Sequence, residues 1–187
     1  MDNLYIDALI VQLNEVSRQV KETFAPLNTT QLNWKPAPNK WSIAQCLDHL
    51  MVSNSTYYPE FDRIIKQQPF TNVWGKIPFL PALFGKMLLN SVKPTSKIPL
   101  PAPRNFVPTN SDLPDSIVND FEQQQQLLIG YFTRLQTIPN HEKVKVTSPV
   151  SRFITYSLKD CLNILVFHEQ RHFQQALRVK NEFGFNP

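Results

Sequence analysis

Three histidines carry the chemistry legible in this chain. His168 and His172 lie four apart in Leu165-Val166-Phe167-His168-Glu169-Gln170-Arg171-His172. His49 lies far upstream, in Trp41-Ser42-Ile43-Ala44-Gln45-Cys46-Leu47-Asp48-His49-Leu50. Residues four apart share one face of a helix, so His168 and His172 are placed to hold one divalent ion between them. A third imidazole from a facing helix leaves one coordination position open, as a catalytic metal requires. Imidazole suits Zn²⁺, Ni²⁺, Cu²⁺ and Fe²⁺. Three neutral imidazoles leave such an ion electrophilic, able to lower the pKa of a bound water or thiol and so generate a nucleophile at neutral pH.

Alone, H-x3-H on a helix is a loose pattern. The arrangement is not H-E-x-x-H, so the metalloprotease pattern is absent. His49 and His168 fall a little off the densest part of their apolar stripes, which suits the mouth of a groove better than the centre of a core. Glu169, beside His168, is either a solvent-facing helix residue or an acceptor for a ligand's other ring nitrogen, or a base; Asp48, beside His49, is read the same way. Cys46 lies three residues before His49 and Cys161 seven before His168. Both are read as buried, inert thiols, because free cysteine packs as a small hydrophobe. The alternative for Cys46 is a soft fourth ligand or a reactive thiol. His141, after Pro139-Asn140, is read as a surface residue in a loop.

Four helices are needed to position these groups. The first is predicted over roughly 2–24, with Ile6, Leu9, Leu13, Val16, Val20 and Phe24 on one stripe. The second follows Trp41, with Ser42 and Gln45 spaced as a capping box. Ile43, Leu47, Leu50, Tyr57, Phe61 and Ile64 form its core face; Pro59 is expected to kink it and Pro69 to end it. The third is predicted over 113–136, with Asp112 as N-cap, Pro114 in the first turn, and Ile117, Phe121, Leu128, Tyr131 and Leu135 inward. Gln123-Gln124-Gln125-Gln126 is read as its solvated face. The fourth is predicted over 158–182, with Leu158, Leu162, Leu165, His172, Ala176 and Val179 on one side and Gly184 just past its end. Val144-Lys145-Val146-Thr147 has the character of a short extended piece. Four amphipathic helices without a strong strand pattern predict an all-α, four-helix bundle. The chain is read as a single domain, 1–187. Its 69–112 connection is long, rich in proline and apolar, with a short helix expected near 79–91 packed over one end of the bundle, as a lid-like insertion.

With 187 residues, 42% hydrophobic and 18% charged, the composition is that of a soluble globular chain. The net charge is +4. The basic residues are scattered singly, a solvated surface with no nucleic-acid footprint, and no carboxylate cluster suits Mg²⁺-dependent phosphodiester chemistry. Two cysteines make no disulfide framework and suit a reducing, cytoplasmic location. There is no signal-peptide pattern at the N-terminus, and no apolar run spans a bilayer. The apolar face at 77–92 is a membrane-surface candidate on composition, but interfacial helices carry a strongly charged opposite face, so core or dimer packing is the expectation.

Two blocks of residues resemble a known family. Leu32-Asn33-Trp34-Lys35-Pro36-Ala37-Pro38-Asn39-Lys40-Trp41-Ser42-Ile43-Ala44-Gln45 leads into Leu47-Asp48-His49-Leu50, and Tyr156-Ser157-Leu158-Lys159-Asp160 leads into His168-Glu169-Gln170-Arg171-His172-Phe173-Gln174-Gln175-Ala176. Their order and spacing resemble the DinB-like superfamily, including the group related to bacillithiol S-transferases. The likeness covers most of the chain and is weakest over 69–112. It implies an up-down-down-up bundle, often dimeric, with a divalent ion, commonly zinc or nickel, held by His49, His168 and His172. It also implies a low-molecular-weight thiol as cosubstrate, used by a transferase or an isomerase. Related sequences often have an acidic residue where this chain has Gln45, a helix-start position that does not bear on the metal.

Two functions are therefore expected. In one, a thiol activated at the His49/His168/His172 ion attacks a small electrophile, with Glu169 or Tyr57 handling protons. In the other, the ion ties the second and fourth helices together in a non-catalytic binding or stress-related module. If the triad forms, its open side should face the 69–112 segment, with Tyr57, Ser53 and Gln175 as polar groups of the pocket.

Overall fold

The N-terminal stripe forms α1, Leu4–Phe24, and its six stripe residues are all buried. The structure is a computed structural model that describes residues 4–95, 106–108 and 112–185. A short helix not anticipated from periodicity follows, α2 (Thr29–Asn33). Five residues are too few to show a repeat; what makes the helix is a capping box between Asn28 and Gln31, with both bonds at 2.9 Å. Asn33 closes a two-way amide bridge to the backbone of Leu113, tying this turn to the chain that enters the third long helix.

The expected capping box at Ser42 and Gln45 is present and starts α3, Ile43–Ser55. The expected kink is a full break. The chain restarts as α4, Tyr58–Ile65, with Pro59 in its first turn. A proline there has no N–H to bond back to Ser55, so the ladder stops; in the first turn of a new helix that donor is not needed. The inward set Ile43, Leu47, Leu50, Tyr57, Phe61 and Ile64 is buried across both pieces.

The connection that follows contains a 3₁₀ turn, Val73–Lys76, and α5, Leu80–Val92, which matches the helix expected near 79–91. Pro99, Pro101 and Pro103 lie outside the described residues. The α5 helix has two apolar edges. Leu88, Leu89 and Val92 pack onto the core, whereas Phe79, Leu83 and Met87 face outward. Among the described residues no helix is long and apolar enough to cross a membrane.

The third long helix, α6, spans Ile117–Gln136, four residues shorter at its start than expected. Asp112 and Pro114 precede it, and the Pro114 carbonyl accepts from Ile117 in a turn. Two side chains on α6 are corrected. Phe132 is fully buried, whereas Tyr131 packs against the core only partly buried. Gln125 is not on a solvated face: it occupies the stripe position between Phe121 and Leu128 and is buried. Next come a 3₁₀ turn at His141–Lys143 and a hairpin, β1 (Lys145–Thr147) with β2 (Thr155–Ser157). The strands pair antiparallel in the register Val146 to Tyr156, and both side chains are fully buried. His141 is buried too, not on the surface, with Nδ1 3.2 Å from the Ile138 carbonyl. The last helix, α7, spans Leu158–Lys180, capped by Ser157. Gly184, in the left-handed region, turns the tail so that Phe185 meets Trp34 edge-on.

The structure is mostly helical. Each of α1 and α3 packs against both α6 and α7, while α5 lies across α7 and β2. The core falls into two apolar clusters. One holds Leu13, Phe61, Leu128 and Leu162; the other holds Val20, Leu47, Phe121 and Phe173. On α3, α6 and α7 the boundary between them is marked by buried polar residues: Asn54, Gln125, and Glu169 with His172.

Helix α5 owes its close approach to Gly85, where a Cβ would lie 2.4 Å from Asp160 Oδ2. That carboxylate is held by Ser157 at 2.7 Å, so it has little room to move. Gly130, inside α6, has nothing within 4 Å of a Cβ. The two glycines are expected to respond in opposite directions. By thermal unfolding, Gly85→Ala should destabilise by about 1–3 kcal/mol, and Gly130→Ala should stabilise by about 0.5–1 kcal/mol.

Candidate metal centre

The Ser42 cap fixes where α3 begins, and His49 follows two turns later; His168 and His172 stand one turn apart on α7. The pairing of α3 with α7 brings all three together. One ring nitrogen from each lies within 4.8 Å of the others. His49 Nε2 and His168 Nε2 are 3.1 Å apart. Two nitrogens on one tetrahedral zinc, each at about 2.0–2.1 Å, lie about 3.3 Å apart. The spacing therefore suits two ligands of one ion.

The tautomer of His49 follows from its neighbour. Its Nδ1 is 2.6 Å from the Phe106 carbonyl, which can only accept, so Nδ1 carries the proton and Nε2 presents a lone pair. Trp41 completes the packing, stacked on His172 at 5.7 Å and tilted against His49 at 4.9 Å. Burial, the largest effect, pushes all three imidazoles toward the neutral form that ligates metals. His168 falls to about 3, aided by the neighbouring His49 and the Arg171 charge. His172 falls well below the usual imidazole range for the same reasons, and His49 is lowered as well. His172 Nδ1 is buried with no hydrogen-bond partner among the described residues. Three neutral, converging imidazoles are a donor set that fits a borderline divalent ion.

The triad forms part of the wall of a cavity of about 780 Å³. The three polar groups expected there, Ser53, Tyr57 and Gln175, all line it, as do Leu88, Ser91, Val92, Phe106 and Val107 from the 69–112 connection. Ser53 has its hydroxyl engaged within α3, 2.6 Å from the His49 carbonyl. Tyr57 bonds Tyr156 at 2.9 Å, and burial raises its phenol far above the ordinary value, so it stays protonated.

Glu169 lies elsewhere. Its carboxylate is fully buried, does not line the cavity, and accepts from Asn54 Nδ2 at 2.8 Å and Gln125 Nε2 at 2.5 Å. Gln125 Nε2 also lies 3.3 Å from the Leu13 carbonyl, so this bonding reaches all four long helices. Burial raises Glu169 to about 7, against the two amide bonds. Asp48 is half-buried, and burial raises its carboxyl. Cys46 is buried in the core, its thiol pushed up to about 12; burial also raises the Cys161 thiol well above its ordinary value. Neither belongs to the cluster of candidate ligands. Sequence reading missed Trp41, Phe106, Asn54 and Gln125. The last two could have been found as polar residues on an apolar stripe, Asn54 after Leu47 and Leu50, and Gln125 between Phe121 and Leu128. A carbonyl contact from 57 residues away leaves no such signal.

A family model of the DinB superfamily matches residues 12–176. The chain belongs to that superfamily. No curated protein and no solved structure gives a match.

Two outcomes are expected. Untagged protein should carry about one divalent ion per chain by mass spectrometry, and His168→Ala should lose it. In the metal-free protein, the three histidines oppose protonation, so stability is present above their ordinary pKa and falls as pH drops below about 6.5. Glu169 acts oppositely: its raised pKa means stability present below about 4.5 and lost as pH rises toward 7. Glu169→Gln should therefore gain on the wild type between pH 4.5 and 7, by about 3 kcal/mol at roughly 1.4 kcal/mol per pKa unit. Denaturant melts across that range measure it; a constant difference would show that the carboxylate does not ionise there.

Proposed function

We propose that this chain is a divalent-metal-dependent enzyme that activates a low-molecular-weight thiol for attack on a small electrophile, as a thiol S-transferase. The observation that carries the reading is the convergence of three neutral imidazoles on the wall of a roomy, largely apolar cavity. A divalent ion held by His49, His168 and His172, zinc or nickel on this donor set, supplies a Lewis acid that lowers the pKa of a thiol ligand.

The chain's own residues do the rest. The Phe106 carbonyl orients His49 so that Nε2 faces His168. Trp41 covers one flank of His49 and His172. Leu88, Val92, Ile164 and Leu165 offer apolar walls to the electrophile. The described part of the 69–112 connection serves as a lid by contributing Leu88, Val92, Phe106 and Val107 to these walls, while Ile164 and Leu165 come from α7. In the reaction the S–H proton leaves to solvent, the new S–C bond forms, and the leaving group departs with its bonding pair. Of the two proton-handling candidates, Tyr57 lines the cavity and remains a donor, so it serves the leaving group. Glu169, committed to Asn54 and Gln125, acts only by holding α7 in place.

A second reading has an observation of its own. His49 on α3 and the pair on α7 would be cross-linked by one ion, so metal binding would add to folding stability without turnover. The bundle frame with its lid, and a homodimer, are compatible with both.

The test is thiol transfer across a panel of thiols and electrophiles with metal-loaded protein. Activity is expected in the wild type and at background in His168→Ala. Tyr57→Phe should lower kcat about 100-fold with little change in KM if its hydroxyl serves as general acid. Full transfer by His168→Ala would sink the mechanism; a large chelator-induced drop in Tm without turnover would favour the second reading.

A further inference from the structure

The cavity has a charge pattern that the proposed reaction does not use. Among the described residues, the charged side chains that line it are Lys40 and Arg171, and no carboxylate does. Each adjoins a residue of the centre in sequence. Lys40 precedes Trp41, the ring stacked on His172, and Arg171 immediately precedes His172 on α7. Neither forms an ion pair among the described residues.

Arg171 is also pre-positioned. Its Nη1 donates to the carbonyls of Ser91 at 2.9 Å and Lys93 at 3.3 Å, at the C-terminal end of α5. This anchors one corner of the guanidinium and leaves the Nη2 and Nε donors without partners among the described residues. A planar fork held from behind is suited to a carboxylate. The group is half-buried in a mostly apolar wall, where a cation without a counter-charge favours an anion more than it would in bulk water.

We propose that Arg171 and Lys40 form a carboxylate subsite beside the metal centre, so that the thiol used by this protein carries a carboxylate close to its sulfur. The proposal rests on the thiol reading above. Arg171 supplies the oriented fork, and exposed Lys40 adds a mobile second charge at the rim.

The test compares 3-mercaptopropionate with its neutral isostere 3-mercaptopropionamide, binding to zinc-loaded protein by calorimetry. The carboxylate is expected to bind about tenfold more tightly, the low end for a charge-assisted pair at a partly exposed site. The preference should shrink as salt rises. It should collapse to within about twofold in Arg171→Gln and narrow in Lys40→Gln. The Lys40 variant guards against disturbance of α5, because the Lys40 ammonium holds no partner among the described residues. Equal binding of the two thiols by the wild type, or a preference untouched by both variants, overturns the subsite and leaves the metal-thiol reading standing. If neither thiol binds, that reading fails, and a second arm decides the subsite: thermal stabilisation of metal-free protein by succinate. Stabilisation lost in both variants supports the subsite; no stabilisation overturns it.

Discussion

A carboxylate at the centre of the bundle governs the arrangement around it. Glu169 is fully removed from water, and a buried charge without partners costs several kcal/mol, so donors must come to it. They come from two other helices, Asn54 on α3 and Gln125 on α6, and Gln125 reaches α1 through Leu13. These bonds have directions and fixed lengths, unlike apolar contacts, so they set how the helices stand along their axes. The apolar core is divided at this level because the facing stripe positions must be polar. His168 adjoins Glu169 in sequence, and His49 lies little more than one turn from Asn54. The spacing of the triad thus follows from the same bonds.

The other half of the site is contributed by the connection between α4 and α6. Close passage of α5 over α7 depends on Gly85, and Arg171 holds the end of α5 by two carbonyls. Further along, Phe106 enters the core and offers its carbonyl to His49. A segment that resembles an insertion therefore does two jobs. It walls the cavity, and it selects the tautomer of a candidate ligand. A cavity with three imidazoles at one side, apolar walls and Tyr57 among its few polar groups has the features expected of a small-molecule site.

Much of this was legible in the residues. The stripes on α1 and α7, the Ser42 capping box, the short helix near 79–91 and the three histidines all follow from local rules: period, cap and turn chemistry act within a few residues. The glutamine run and the loop after Pro139-Asn140 point Gln125 and His141 to solvent, yet both are buried, because position on a stripe or beneath a turn outweighs polarity. The start of α6 was misplaced because Asp112 and Pro114 are good first-turn residues in isolation, while Asn33 holds Leu113 out of the helix from 80 residues away. The break after Ser55 was underestimated as a kink.

Local chemistry in the chain is enough to specify the long helices, their inward faces and which imidazoles are available to a metal. Each of these depends on neighbours within about two turns. Tertiary structure alone decided that Nε2 of His49 faces Nε2 of His168, that Glu169 turns to Asn54 and Gln125 and away from the cavity, and that, among the described residues, the charged side chains lining the cavity are both cationic. Those outcomes depend on the packing of helices far apart in sequence, where a few ångströms determine which group meets which, and no short-range pattern encodes that distance.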